Sequence, residues 1–213
     1  MPEATGVRAR QREQTRRTLL REGRRLFAEH GYADVSLSGI VAAAEVTKGA
    51  LYHHFDGKPA LFRAVLDEVQ EEVAAAVAAT ADAEPDPWDR LTAGCRAFLT
   101  AATAPGVRRI MLVDGPAVLG WSAWREMDEA NSARHLTEAL ADLVASGVLP
   151  PRPVEPAAHL LSGAMNEAAL WLADRPGTGD LDAVWASLEP MLESLRADRG
   201  PGRGPGREPA DDR

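Results

Sequence analysis

The stretch "VTKGALYHHFDGKPALF", residues 46–62, gathers what the rest of the chain lacks. The protein has two lysines, Lys48 and Lys58, and both lie here, beside His53, His54 and Tyr52, the second of two tyrosines. Local rules give the stretch a shape. Thr47 is a helix cap, Leu51 and Phe55 lie one turn apart on an inward face, and Pro59 suits a helix start, where its missing N–H has no partner to lose. The outer face then carries Lys48, Gly49, Tyr52 and His53. Just upstream, Ser36 caps a short helix bearing Leu37, Ile40, Val41 and Ala44. Two short helices joined at Glu45-Val46 make a helix-turn-helix, whose second helix enters the major groove of duplex DNA N-terminus first. Thr47 and the free N–H groups beside it can hold a phosphate, Gly49 allows close backbone approach, and Lys58 can meet a further phosphate.

Helical periodicity continues in both directions. Leu19, Leu20, Gly23, Leu26, Phe27 and His30 form a buried stripe that Gly31 ends. From Pro59 a long helix runs to about Ala83, where Pro85 and Pro87 break the chain. A helix follows over residues 88–103, then a short apolar segment, 107–119, interrupted by Gly115-Pro116. The pattern is helical again from Ser122 to the turn at Gly147, and over 155–173 and 181–197, with Pro190 kinking or interrupting the last helix. Residues 198–213, rich in Gly, Pro and charge, read as a disordered tail. The expectation is an all-α chain of about nine helices. Residues 1–58 form an N-terminal DNA-binding domain and 59–197 a helical body.

Charge supports this division. Residues 1–58 carry +3 and the remainder −11, a basic end on an acidic body, as a surface for a polyanion requires. A solvated arginine-rich helix gives the same asymmetry. No apolar run is long enough to span a bilayer and the start lacks a signal-peptide pattern, so a soluble cytoplasmic protein is expected. The single Cys95 excludes an internal disulfide and a cysteine-cluster zinc site, and reads as a small core residue. Phosphate-binding loops, nucleophile elbows and paired Glu-x-x-His motifs are missing, so neither enzyme chemistry, a cofactor nor a metal is expected. A non-DNA adaptor on the same framework is the other class to test, by salt-dependent duplex binding.

The segments "RLFAEHGYADVSL", "IVAAAEVTKGALYHHF" and "GKPALF" together resemble the DNA-binding domain of the TetR family of transcriptional regulators. The resemblance implies phosphate contacts from Ser36, Thr47, Tyr52, His54 and Lys58, with Lys48, Gly49, Ala50 and His53 nearest the bases. For Tyr52 and His54, packing between the third and fourth helices is the other role open. Ala50 stands where relatives often place a polar reader, leaving a methyl contact. Glu45 stands where the family usually has glycine; with a positive φ it would carry about 1 kcal/mol of strain. The resemblance further implies a homodimeric, ligand-responsive regulator, a repressor by preference, released from a palindromic operator by a small effector.

The body offers candidates for both remaining functions. Phe98, Met111, Trp121, Trp124 and Met165 can wall a pocket for a hydrophobic or aromatic molecule, with Asp114, Asn131, His135 and Asn166 as polar anchors. Aromatic and methionine stripes serve equally as core. Small residues in "HLLSGAMNEAALWLA" permit close helix approach, so Ser162, Gly163, Ala164 and Ala168 are expected at a dimer interface with Trp185, Leu188 and Leu192 of the last helix. In similar proteins such a pair meets its copy as a four-helix bundle.

Overall fold

A computed structural model describes residues 3–173 and 180–196. The expected tail over 198–213 lies outside them. Among the described residues there are ten α-helices, one π-helical segment and no strand. In chain order they are α1 (Glu3–His30), α2 (Leu37–Ala43), α3 (Lys48–His54), α4 (Lys58–Asp82), α5 (Pro87–Ala102), the π-segment (Arg109–Asp114), α6 (Gly115–Leu119), α7 (Trp121–Ala130), α8 (Ser132–Ala145), α9 (Val154–Ala173) and α10 (Asp180–Glu193).

The first three helices close around Leu19, Leu20, Phe27, Ile40, Leu51 and Phe55, all buried. Phe62 of α4 completes this core, its ring 5.2 Å from Phe27 and 5.0 Å from Tyr32, edge-on to both. The helix ends follow the local chemistry of the sequence. Ser36 Oγ accepts from Gly39 N at 3.0 Å, Thr47 Oγ1 accepts from Ala50 N at 3.2 Å, and Gly31, at φ 82°, terminates α1. Glu45 has φ 54° and is the one non-glycine residue with positive φ among those described. The expected strain is therefore present. Glu45→Gly should raise stability by up to about 1 kcal/mol in urea unfolding. Unchanged or lower stability would mean that glutamate makes a compensating contact.

α4 passes from this core into the body, burying Val65, Leu66, Val69 and Val73 before packing along α5. A second link is polar. Arg109 Nη1 donates to Glu29 O at 3.0 Å and Tyr32 N donates to Asp114 Oδ2 at 2.8 Å, so the π-segment clasps the C-terminal end of α1.

Three boundaries differ from those expected. Gly115-Pro116 does not interrupt the apolar segment: Gly115 keeps a helical φ of −51°, and Pro116 follows in the first turn of α6, which continues directly from the π-segment. Gly115 is small for another reason. A Cβ there would lie 2.8 Å from Trp124 Cδ1, and the Trp124 indole donates to Met111 O at 2.7 Å, satisfying a carbonyl of the π-segment. Gly115→Ala should displace that ring and cost about 1–3 kcal/mol in thermal unfolding; an unchanged melting temperature would contradict this packing. The helix expected from Ser122 to Gly147 is split at Asn131 (φ −109°, ψ −107°), whose side chain donates to Met127 O at 2.9 Å. Finally, α10 runs through Pro190 and ends at Glu193.

Candidate nucleic-acid interface and effector cavity

α3 is a two-sided helix. Leu51 is fully buried, with Phe55 just beyond the C-terminus behind it, and the opposite side exposes Lys48, Gly49, Tyr52 and His53. Tyr52 is 54% exposed, with its ring on this outer side. Ala50 is half-buried behind this row. Thr47 Oγ1 is committed to the Ala50 N–H, so the N–H groups of Lys48 and Gly49 are the ones that lack helical partners at this end. Ser36 occupies the equivalent cap of α2, presenting a second helix start close by.

Lys58 is held rather than free. Its Nζ lies 4.1 Å from the Tyr32 ring centroid and donates to Ala33 O at 3.4 Å, which fixes a cation at the edge of the unit. His54 is half-buried beside Arg12 and Arg16 of α1. Burial, then His53 and those arginines, push its pKa below the ordinary histidine value. At neutral pH His54 is therefore an uncharged hydrogen-bonding group. Arg8, Arg12 and Arg16 follow one another at four-residue spacing along α1 and line a shallow groove against His54. The sequence reading missed this extension, since it has no apolar stripe to announce a helix.

A cavity of about 440 Å³ opens between α4, α5, α8 and α9. Of the nine residues proposed to line a pocket, Phe98, His135 and Met165 do so. The other six sit elsewhere. Met111 and Trp124 are buried in the core around the π-segment, joined by the indole hydrogen bond. Trp121 is 65% exposed, its ring 5.1 Å from that of Trp124. Asp114 is spent on Tyr32 N, and Asn131 on Met127 O. Asn166 is buried behind the wall, where it donates to Asp128 Oδ2 at 3.3 Å. Periodicity marked all of these as inward-facing; it carries no information on whether inward means core or cavity.

Asp128, which sequence reading passed over, is central to the cavity floor. It is 1% exposed, and Oδ2 accepts from Arg125 Nη1 at 2.9 Å, Ser162 Oγ at 3.3 Å and Asn166 Nδ2. Burial raises its pKa, opposed by Arg125 and by the hydrogen bonds from Asn166 and Ser162. Arg125 Nη2 also lies 3.2 Å from His159 Nδ1, while Nε sits 3.3 Å from Glu129 Oε1 but out of line for a hydrogen bond. Cys95, on the cavity wall, has its pKa pushed up to about 12 by burial and stays a thiol.

The residues proposed for a dimer interface divide in two. Ser162, Trp185, Leu188 and Leu192 are buried within the protomer itself, Ser162 in the Asp128 network and the rest against α5 and α9. Gly163 is exposed with no atom within 4 Å of where a Cβ would stand, and Ala164 and Ala168 are half-buried beside it. The same outer side of α9 leaves Leu160 74% exposed, and Met191 of α10 is 59% exposed. Leu160 stands three residues before Gly163, a spacing that could have found it.

Fold and site together define a helix-turn-helix module carried on a larger helical body. A family model for the bacterial regulatory proteins of the tetR family matches residues 19–65, and one for the tetracyclin repressor-like C-terminal domain matches residues 88–195. A TetR-family transcriptional regulator from Pectobacterium atrosepticum of solved structure is 36% identical, with a TM-score of 0.74 over 88% of this chain and 97% of that one. The transcriptional repressor DhaR of Mycobacterium sp. (strain GP1) is 37% identical over 81 residues, 38% of this chain and 41% of the relative. The A-factor receptor protein of Streptomyces griseus is 42% identical over 55 residues, 26% of this chain and 20% of the relative. Those two matches span less than half of each curated relative. The chain belongs to the TetR family of transcriptional regulators, and its family and relatives are regulators rather than enzymes. Among the described residues no helix is long and apolar enough to cross a membrane.

Proposed function

We propose that the protein is a homodimeric repressor that binds a palindromic operator through α3 and releases it when a small, largely apolar molecule enters the cavity of the body. The observation that carries the DNA contact is the exposed row Lys48, Gly49, Tyr52 and His53 on a capped helix whose other side is core. Ser36, Thr47, Tyr52, His54 and Lys58 are assigned to phosphates, with Arg12 and Arg16 extending the cationic edge; Lys48, Gly49, Ala50 and His53 are assigned to the base edges. Residues 1–58 bind DNA and 59–197 sense and dimerise, the protein acting in the cytoplasm beside the chromosome. The Leu160–Gly163 side of α9, with Met191, supplies an apolar surface suited to a twofold helix bundle. α4 and the clasp at Arg109 and Asp114 run from the cavity side of the body to the DNA-binding unit, giving a route for the effector to shift the two states.

Selection of bound duplex from a random library tests this reading. Enrichment of an inverted repeat, bound with affinity falling steeply as salt rises, is the expected result. Recovery of no sequence above background, or binding indifferent to salt, would contradict it.

A further inference from the structure

The cavity has a chemistry of its own, and the ligand class assigned from it rests on the reading of the cavity as the effector site. Its walls are apolar, supplied by Val77, Leu91, Phe98, Leu136 and Met165. One end is polar. Ser132 lines the cavity, is 8% exposed, and its hydroxyl has no hydrogen-bond partner. Beside it Asp128 lines the same floor, and its three hydrogen bonds all converge on Oδ2 rather than Oδ1. A buried hydroxyl with no partner is costly, and at the edge of a cavity it is a group that a ligand's polar head can satisfy.

The sign of the charges narrows what that group is. Facing the cavity are Asp82 on α4, Arg90 on α5, Asp128 on α7, and His135, Glu138 and Asp142 on α8. Arg90 is already ion-paired with Asp82, and Arg125 behind the floor is committed to Asp128. His135 Nδ1 faces Glu138 at 3.7 Å. No cation is left over among the described lining residues to receive an anion, while Asp128, Glu138 and Asp142 would repel one. We infer that the cavity takes an apolar molecule carrying a neutral hydrogen-bond-donating head, an alcohol or phenol, with the head on Ser132 and Asp128, and that it rejects the matching carboxylate. The volume is within the range that holds a ligand of this kind.

The test uses three probes of one body and different heads: 4-butylphenol, 4-butylbenzoate and butylbenzene, titrated by calorimetry into the full-length protein without DNA. The phenol should bind roughly tenfold more tightly than the benzoate, whose charge meets an acidic lining with no cation to spare, and roughly fivefold more tightly than butylbenzene. Ser132→Ala removes a hydroxyl that has no partner in the protein, so it should fold normally and erase most of the phenol's advantage over butylbenzene. Ala139→Trp, on the cavity wall, should abolish binding of all three, with circular dichroism confirming its fold. Benzoate binding as tightly as phenol would overturn the head assignment, as would a phenol advantage that survives Ser132→Ala. Probes that bind wild type no better than Ala139→Trp would overturn the cavity itself. A gel shift with the selected operator separates the two readings: probes bound in the expected order that leave the duplex in place keep this inference and remove the effector role.

Discussion

Arg125→Met is expected to cost about 3–5 kcal/mol of stability. The wild-type guanidinium sits against a carboxylate that is 1% exposed, and also donates to Ser162 Oγ at 3.0 Å. Methionine keeps much of the volume but leaves Asp128 buried without its counter-charge. The pH dependence follows from the direction of the Asp128 shift. Burial raises its pKa in the folded state, and losing Arg125 raises it further. A raised carboxyl pKa penalises folding above the folded-state pKa, and the penalty fades as pH falls towards the unfolded value of about 3.9. Urea unfolding of the variant should therefore show the largest loss at neutral pH and a smaller one near pH 5, and Arg125→Met/Asp128→Asn should recover part of it. A loss that is constant with pH would mean that Arg125 matters through packing alone.

The second large effect concerns assembly. Gly163 is open to solvent in the protomer, with clear space where a Cβ would stand, so Gly163→Arg can extend into solvent, and a better helix former at that position favours α9 by a few tenths to about 1 kcal/mol. On the proposed twofold interface the same arginine would be buried against its copy. Native mass spectrometry should then show monomer at micromolar concentration, with operator affinity down by a factor on the order of 100, since one half-site alone is engaged. A folded variant that remains dimeric places the interface on another face of the body.

The opening stretch was legible because its determinants are local. A cap at Thr47, the Leu51–Phe55 spacing and the proline at the start of α4 act within one or two turns, and the helix-turn-helix follows from them. The break at Asn131 was not legible, since it has neither a glycine nor a proline to mark it. The π-segment was hidden for a related reason: its odd hydrogen bonding is closed by Trp124, from a later helix. Cavity residues were separable from core only in three dimensions. Met111 and Phe98 look alike in a helical stripe, yet one seals the π-segment and the other faces open space. Asp128 went unmarked in "REMDEA" because nothing local shows that Ser162 and Asn166, on α9, turn towards it. Glu45 is the converse. Its φ is positive, so the strain that the sequence made conditional on that angle falls on a residue other than glycine.

The central claim is that α3 reads DNA through its exposed face. Lys48→Ala/Tyr52→Ala/His53→Ala alters three solvent-facing side chains and should leave the fold intact. Fluorescence anisotropy titrations of the selected operator, run across a salt series beside wild type, test the claim most directly. The account predicts an affinity loss of roughly 100-fold or more, with a salt slope shallower by about one unit from the loss of the Lys48 charge. Equal affinity and an equal slope for the folded triple variant would contradict it.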